Sequence, residues 1–384
     1  MDRLGEKINE AVTESECDAI MATGVDNFNY LTQIVLPFAT YYPERGVSAI
    51  IKEDDISVVC PLDWVQPLLD QGFDGEIEAY NEHVGYPWNG LIDAVEDRFS
   101  ELDLDESIIG IDATRTPKGL MIALEEGVPR VEWRQIDPIL KDLRILKTPE
   151  EVELIETACK QADKGIIFAL NHLEGAVETP GYSIAEFSER VRVHIYESGA
   201  SGVGLLSTTT GPDAQLYYAP QREWFDEGEL FRTDVSCHYM GYWAYVGRMG
   251  VTGQPTPEQE SAYRENRVLK SAAEEMLKPG VACNEVYAKV SRTAEREVID
   301  FWKGLGVGHG VGITHHEPPF LNLGTSTELK PGMVIALDIY TYAPRRELIH
   351  DKDVYLITEA GNRKLSWYRD WEELYSVTGF RATH

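Results

Sequence analysis

Apolar positions along this chain follow strand-like runs in its first third and helical spacing after that. Asp18-Ala-Ile-Met-Ala-Thr-Gly24 predicts a short strand ending in glycine. Ser48-Ala-Ile-Ile51 and Ile56-Ser-Val-Val59 predict two strands joined across the polar turn Lys52-Glu-Asp-Asp55, and Ser107-Ile-Ile-Gly-Ile-Asp112 another. Thr116-Pro117 then opens a helix, where proline is tolerated in the first turn. Residues 1–143 are therefore expected to form an α/β domain without chemistry of its own.

The pattern changes at Thr148-Pro-Glu-Glu151, a capping box with proline at the first helical position. Behind it Val152, Ile155, Cys159, Ala162, Ile166 and Ala169 recur every three or four residues, one apolar helix face. A second helix starts at Ser183, capped by Glu186, and stops near Gly199; strands follow from about 202 and from about 229 to 253, turning at Met240-Gly241. The sequence then repeats itself. Thr256-Pro-Glu-Gln259 caps a third helix ending at Lys278-Pro-Gly280, and Asn284 caps a fourth that runs to Gly304. Strands are expected over Met333–Tyr342 and Asp353–Thr358. Two helices and then strands, twice over, imply a pseudo-twofold domain over residues 144–384, with helices outside a curved sheet and a site between the halves.

Between the fourth helix and the last strands lies Gly304-Leu-Gly-Val-Gly-His-Gly-Val-Gly312. Alternate glycines strip β-carbons from one side, so a backbone or ligand can approach closely. Interleaved valine, isoleucine and leucine suit a buried strand rather than a linker, which would be Ser-rich and polar. The spacing fits neither a phosphate-binding loop nor a dinucleotide fingerprint. His309 and His316 project into this cleared space and make it the candidate site.

Composition narrows the classes. With 384 residues, 43% hydrophobic, the chain is long enough for two cores. No apolar run approaches a membrane span and no signal-like segment opens it, so a cytoplasmic protein is expected. A net charge of -30 argues against nucleic-acid and membrane partners. Five scattered cysteines without Cys-x-x-Cys spacing read as free thiols.

Several motifs together resemble the creatinase/prolidase family, whose pita-bread fold also occurs in methionine aminopeptidases. They are Asn27-Phe-Asn-Tyr30-Leu31, the junction Leu143-Arg-Ile-Leu-Lys-Thr-Pro-Glu-Glu151, Gly308-His-Gly-x-Gly312, His316-Glu-Pro-Pro319 and Leu329-Lys-Pro-Gly-Met-Val334. The resemblance covers nearly the whole chain. It implies an α+β protein: a pita-bread catalytic domain preceded by a smaller α/β creatinase-type domain. Metallopeptidases of the family bind two divalent ions through Asp, Asp, His, Glu and Glu, which here fall on Asp234, Tyr245, His309, Asp338 and Lys352. Both bridging carboxylates are thus replaced. Lys352 is expected to sit between Asp234 and Asp338 as a fixed cation; a one-residue register slip would instead turn Asp351 or Asp353 inward.

On this basis the leading expectation is a metal-independent, creatinase-like hydrolase or lyase acting on a C–N bond of a small polar or cationic metabolite, with no cofactor. Creatine itself is a poor fit: creatinase's catalytic His falls on Tyr218, its substrate-binding Glu on Gly247, and the Arg after its histidine motif has no counterpart. The alternatives are an Xaa-Pro dipeptidase or aminopeptidase using manganese, zinc or cobalt, and a non-catalytic peptide- or protein-binding scaffold. The expected catalytic residues are His309, His316, Asp338, Lys352 and Tyr218; the expected substrate-binding residues are Tyr245, Asp234, Tyr41 and Arg45. Creatinase-like relatives imply a homodimer, with the segment Tyr41-Tyr-Pro-Glu-Arg45 reaching the partner's site. His315 is read as facing away from the site, and His350 belongs to no motif.

Overall fold

The computed structural model describes residues 3–36, 39, 42–81, 88–175, 183–211, 224–304, 306–366 and 371–378. The chain divides into two compact units, Met1–Arg144 and Ile145–His384.

In the first unit β1 (Ala19–Ala22), β2 (Ser48–Lys52), β3 (Asp55–Pro61), β4 (Glu76–Tyr80), β5 (Ile108–Ile111) and β6 (Glu132–Gln135) form one mixed sheet in the order β4-β3-β2-β1-β5-β6. Apolar clusters bury it, among them Met21, Ile50, Val95 and Ile109 in one and Phe28, Ala49, Val58 and Leu68 in another. The Asn-x-x-Tyr-Leu segment works locally here. Asn27 donates to Asp112 Oδ2 at 2.9 Å and accepts from Arg144 Nη1 at 3.0 Å, tying helix Val25–Thr32 to the end of the unit.

The second unit holds the helices Pro149–Gly175, Ile184–Glu197, Pro257–Glu274 and Cys283–Glu297. Capping boxes at Thr148/Glu151, Ser183/Glu186 and Thr256/Gln259 start the first three, as the sequence predicts. Three helix boundaries differ from expectation. The third helix stops at Glu274, and the fourth is preceded by Ala282 rather than capped by Asn284, ending at Val298 with φ 58°. The chain leaves the helix there because Ile299 and Phe301 enter the core and Phe301 pairs with Thr341.

Two sheets make up the rest. One contains β7 (Gly202–Thr210), β8 (Leu230–Tyr239) and β9 (Tyr242–Thr252), with β17 (Tyr375–Val377) on the far side of β9. The other runs β11 (Glu317–Phe320), β10 (Gly308–Gly310), β12 (Val334–Leu337), β15 (Asp353–Thr358), β16 (Gly361–Lys364). β13 (Tyr340–Tyr342) and β14 (Leu348–His350) form a separate hairpin. The strand expected over Met333–Tyr342 is therefore broken after Leu337, where Asp338 N bonds Val307 O. The glycine-alternating strand is also short. A Cβ at Gly308 would lie 2.5 Å from Ala336 O, and one at Gly310 2.3 Å from Pro318 O, so bare backbone is what lets β11 and β12 flank β10.

The two sheets meet where Gly247 and Lys352 exchange backbone hydrogen bonds of 3.2 and 3.1 Å. Side chains then alternate across this stretch. Asp351 and Asp353 point into a buried ionic cluster behind it: Arg248 pairs with Asp163 at 2.8 Å, Asp353 at 2.9 Å and Asp351 at 3.2 Å. Lys270 bonds both Asp351 and Asp353, and Arg267 reaches Asp351 at 2.7 Å. The register slip weighed from sequence is not adopted, because these cations hold both aspartates on the far face. Burial pushes the Asp353 carboxyl up, but Arg248 and Lys270 outweigh it and hold it well below the usual range.

Arg248→Met should therefore destabilise the protein by about 3–5 kcal/mol, the scale for removing one partner from a buried ion cluster. The contribution of depressed carboxylates is present above their unfolded pKa of about 3.9 and is lost as pH falls through the folded value. The gap between wild type and variant in urea should accordingly be full at neutral pH and shrink below about pH 4.

Candidate functional site

The junction brings five strand segments to one point. Asp234 comes from β8, Tyr245 from β9, His309 from β10, Asp338 from the end of β12, and His350 and Lys352 from the end of β14 and just beyond it. The structure therefore gathers Asp234, Tyr245, His309, Asp338 and Lys352, with His316 entering from just before β11.

Their arrangement differs from expectation in one respect. Lys352 does not lie between Asp234 and Asp338; His350 does. Its Nδ1 is 2.6 Å from Asp234 Oδ1 and its Nε2 is 2.7 Å from Asp338 Oδ1. Two ring nitrogens facing two carboxylates require both to donate, which is the imidazolium form. Burial pushes His350 down, but Asp234 and Asp338 outweigh it and raise its pKa above the ordinary value. Tyr340 stacks on the ring at 3.9 Å, and Arg232 Nε pairs with Asp234 Oδ2 at 2.7 Å. Gly247 makes room: a Cβ there would sit 2.6 Å from Asp234 Oδ1 and 2.8 Å from His350 Nδ1.

Lys352 takes the neighbouring place. Its Nζ lies 3.0 Å from Asp338 Oδ2, 3.0 Å from His309 Nε2 and 3.3 Å from the centre of the Tyr245 ring. Burial lowers its pKa against the opposing pull of Asp338. His309 Nδ1 donates to Gly310 O at 2.9 Å, so Nε2 keeps its lone pair and accepts from Lys352. Burial, Lys352 and His316 hold His309 well below its usual pKa, a neutral ring.

His316 lies against His309, ring centres 4.0 Å apart, and its side chain is exposed. Its position depends on a buried pair behind it: Glu317 meets Lys147 Nζ at 2.6 Å, linking the histidine motif to the Leu143–Glu151 motif. His315 faces the other way, bonded to Ser236 Oγ at 2.9 Å and packed on Trp243. His309, His316 and Asp338 floor a cleft of about 540 Å³ whose walls include Tyr287, Lys303, Phe320 and Leu323.

Arg45 pairs with Asp63 at 2.6 Å inside the first unit and lies over Trp64. Tyr41 and Tyr218 fall outside the described residues. His350, which sequence reasoning set aside, was detectable through its position two residues before Lys352, since neighbours at that spacing share a strand face.

Comparison with known proteins agrees with this architecture. Residues 153–359 match metallopeptidase family M24, and residues 5–146 match the creatinase/prolidase N-terminal domain. The chain belongs to metallopeptidase family M24, with the pita-bread fold. It is 30% identical over 243 residues to an Xaa-Pro dipeptidase of Pyrococcus furiosus, covering 61% of this chain and 67% of that one. An uncharacterized peptidase of Staphylococcus saprophyticus is 26% identical over 379 residues, covering 94% and 99%. The crystal structure of the prolidase from Pyrococcus horikoshii superposes with a TM-score of 0.78 at 22% identity, covering 96% and 99%.

Membership in a metallopeptidase family with dipeptidase relatives overturns the expectation of a protein without a cofactor. His309, His316 and Asp338 each offer a ligand atom, and these lie within 4.8 Å of one another. Two imidazoles and a carboxylate are an apt set for one borderline divalent ion. Among the described residues they do not extend to a second. Tyr245 and Lys352 stand where bridging carboxylates are implied, and Asp234 is engaged by Arg232 and His350.

His350→Ala should cost about 3–5 kcal/mol, because Asp234 and Asp338 would face each other without the cation between them. The stabilisation from a raised imidazole is complete below about pH 6.5 and is lost as pH rises through the folded value. That from the depressed carboxylates is complete above about pH 4. The difference from wild type in urea unfolding should therefore be widest between about pH 4 and 6.5 and narrow on both sides.

Proposed function

We propose that this chain hydrolyses the peptide bond of short Xaa-Pro-type peptides, using one divalent ion held by His309, His316 and Asp338. The observation that carries the reading is the convergence of these three donors on the floor of the cleft, in a chain whose relatives are named Xaa-Pro dipeptidases. This replaces the creatinase-like reading of the sequence with its peptidase alternative.

The ion, when bound, supplies a Lewis acid for the scissile carbonyl and an acidified water. The chain's own residues supply the rest. His309 is fixed in the Nδ1–H tautomer by Gly310 O, which aims the Nε2 lone pair into the centre. His350 clamps Asp338 by one oxygen and leaves the other for the site. The exposed side of His316 opens on the cleft, whose volume suits a di- or tripeptide. Phe320 and Leu323, both exposed, offer an apolar wall for a side chain such as proline, and Lys303 offers a cation for a terminal carboxylate. Homodimer assembly belongs to the same proposal and is tested by light scattering in solution.

Purified protein incubated with manganese, zinc or cobalt should release free proline from Xaa-Pro dipeptides faster than it cleaves other dipeptides, and should leave creatine intact. Loss of a donor to the ion should remove several kcal/mol of transition-state stabilisation, so His316→Ala should lower kcat/KM by about a hundredfold or more. Its melting temperature should stay near wild type, since this side chain is exposed. A panel in which no peptide is cleaved under any of the three metals would refute the reading.

A further inference from the structure

We infer that the protein's own cations close this centre down: Lys352 occupies the ion's place between His309 and Asp338, and His350 fills the space between Asp338 and Asp234, so one ion at most enters, and enters against Lys352. The inference rests on the peptidase reading for the identity of the three ligands, but its consequences concern binding rather than turnover.

Lys352 Nζ sits 3.0 Å from His309 Nε2 and 3.0 Å from Asp338 Oδ2. Those are the two buried atoms an ion would use, and a zinc-like ion would approach each to about 2.0–2.2 Å. An ammonium and a divalent cation cannot share that space. Nor is the lysine loosely placed. Its backbone is held by both hydrogen bonds to Gly247, its side chain is fully buried, and its ammonium lies against the Tyr245 ring. Ion entry must therefore displace the ammonium from two hydrogen bonds and a ring face.

The second position is closed differently. The His350 ring spans the gap between Asp234 and Asp338 with both nitrogens engaged, is covered by Tyr340 and is itself fully buried. Arg232 neutralises the outer oxygen of Asp234. Asp351 and Asp353, the nearest carboxylates in sequence, cannot turn inward while Arg248, Lys270 and Arg267 hold them on the opposite face. No anionic pair is left for a second ion among the described residues of the centre.

Titration calorimetry with manganese and with zinc, backed by elemental analysis after desalting, tests this on the full chain. Wild type should take up no more than one equivalent. Lys352→Met should take up the same equivalent at least about tenfold more tightly, because a like charge a few ångströms from a divalent ion is strongly repulsive between buried groups. Lys352→Gln, which keeps a donor for Asp338, gives the same comparison if the Met variant folds poorly. Lys352→Arg, which keeps the charge, should bind no tighter than wild type. Two equivalents in wild type, or equal affinity in wild type and Lys352→Gln, would overturn the inference and leave the peptidase reading standing. Tighter binding by Lys352→Gln without peptide cleavage by any form would support the inference and refute that reading. Binding by neither form overturns both.

Discussion

Everything in the second unit is arranged around a short piece of chain that carries charge on both faces while buried on both. His350, Asp351, Lys352 and Asp353 are each almost fully inaccessible. Burying one such group without a partner costs several kcal/mol, and here four follow one another. The fold meets this by giving each face its own counterions. Asp234, Asp338 and His309 receive His350 and Lys352 on one side; Arg248, Lys270 and Arg267 receive Asp351 and Asp353 on the other. Because strand side chains alternate, neither face can change without presenting the wrong charge to the other. The rear cluster thus fixes the register that the site needs.

Gly247 shows how closely sequence and site are linked. It is the backbone partner of Lys352, and it is also the place where a side chain would strike Asp234 and His350. A residue with a β-carbon would push the imidazole out of the gap between the two aspartates. Glycine there and histidine at 350 form one structural solution, as do Lys352 and the Tyr245 ring beneath it. The two positions that look like separate losses of a bridging carboxylate, Tyr245 and Lys352, are thus in contact with one another in space.

Much of this was legible in the sequence, and the exceptions have physical causes. Helix starts were readable because capping boxes are local, with the side chain and its backbone target three residues apart. The misjudged end of the fourth helix was not, because Phe301 is drawn off by a partner at Thr341, a contact with no local trace. The gathering of Asp234, Tyr245, His309, Asp338 and Lys352 followed from motif alignment. What alignment missed was the side chain that belongs to no motif. His350 lies two residues from Lys352 on the same strand face, and the reading of Lys352 as the bridge between the aspartates gave it the contacts that His350 makes. Absence of bridging carboxylates was likewise a weaker guide than it looked. It bears on how many ions the centre can hold, whereas the three donors at His309, His316 and Asp338 bear on whether it can hold one.

The distribution of charge sharpens the last point. The chain carries 35 basic and 65 acidic side chains. Several of the basic ones, among them Arg144, Lys147, Arg232, Arg248, Lys270 and Lys352, are buried in pairs. Acidic partners are buried with them, so the accessible surface keeps the chain's large excess of negative charge. Such a surface raises the local concentration of divalent cations over roughly a Debye length, about 8–10 Å at physiological salt. Arrival of an ion at the cleft is thus favoured by the exterior, while occupancy is opposed from inside by an ammonium that contacts the same two ligand atoms. The acidic exterior adds a salt-screened attraction to that balance, and the contacts within the few ångströms separating Lys352, His309 and Asp338 oppose it.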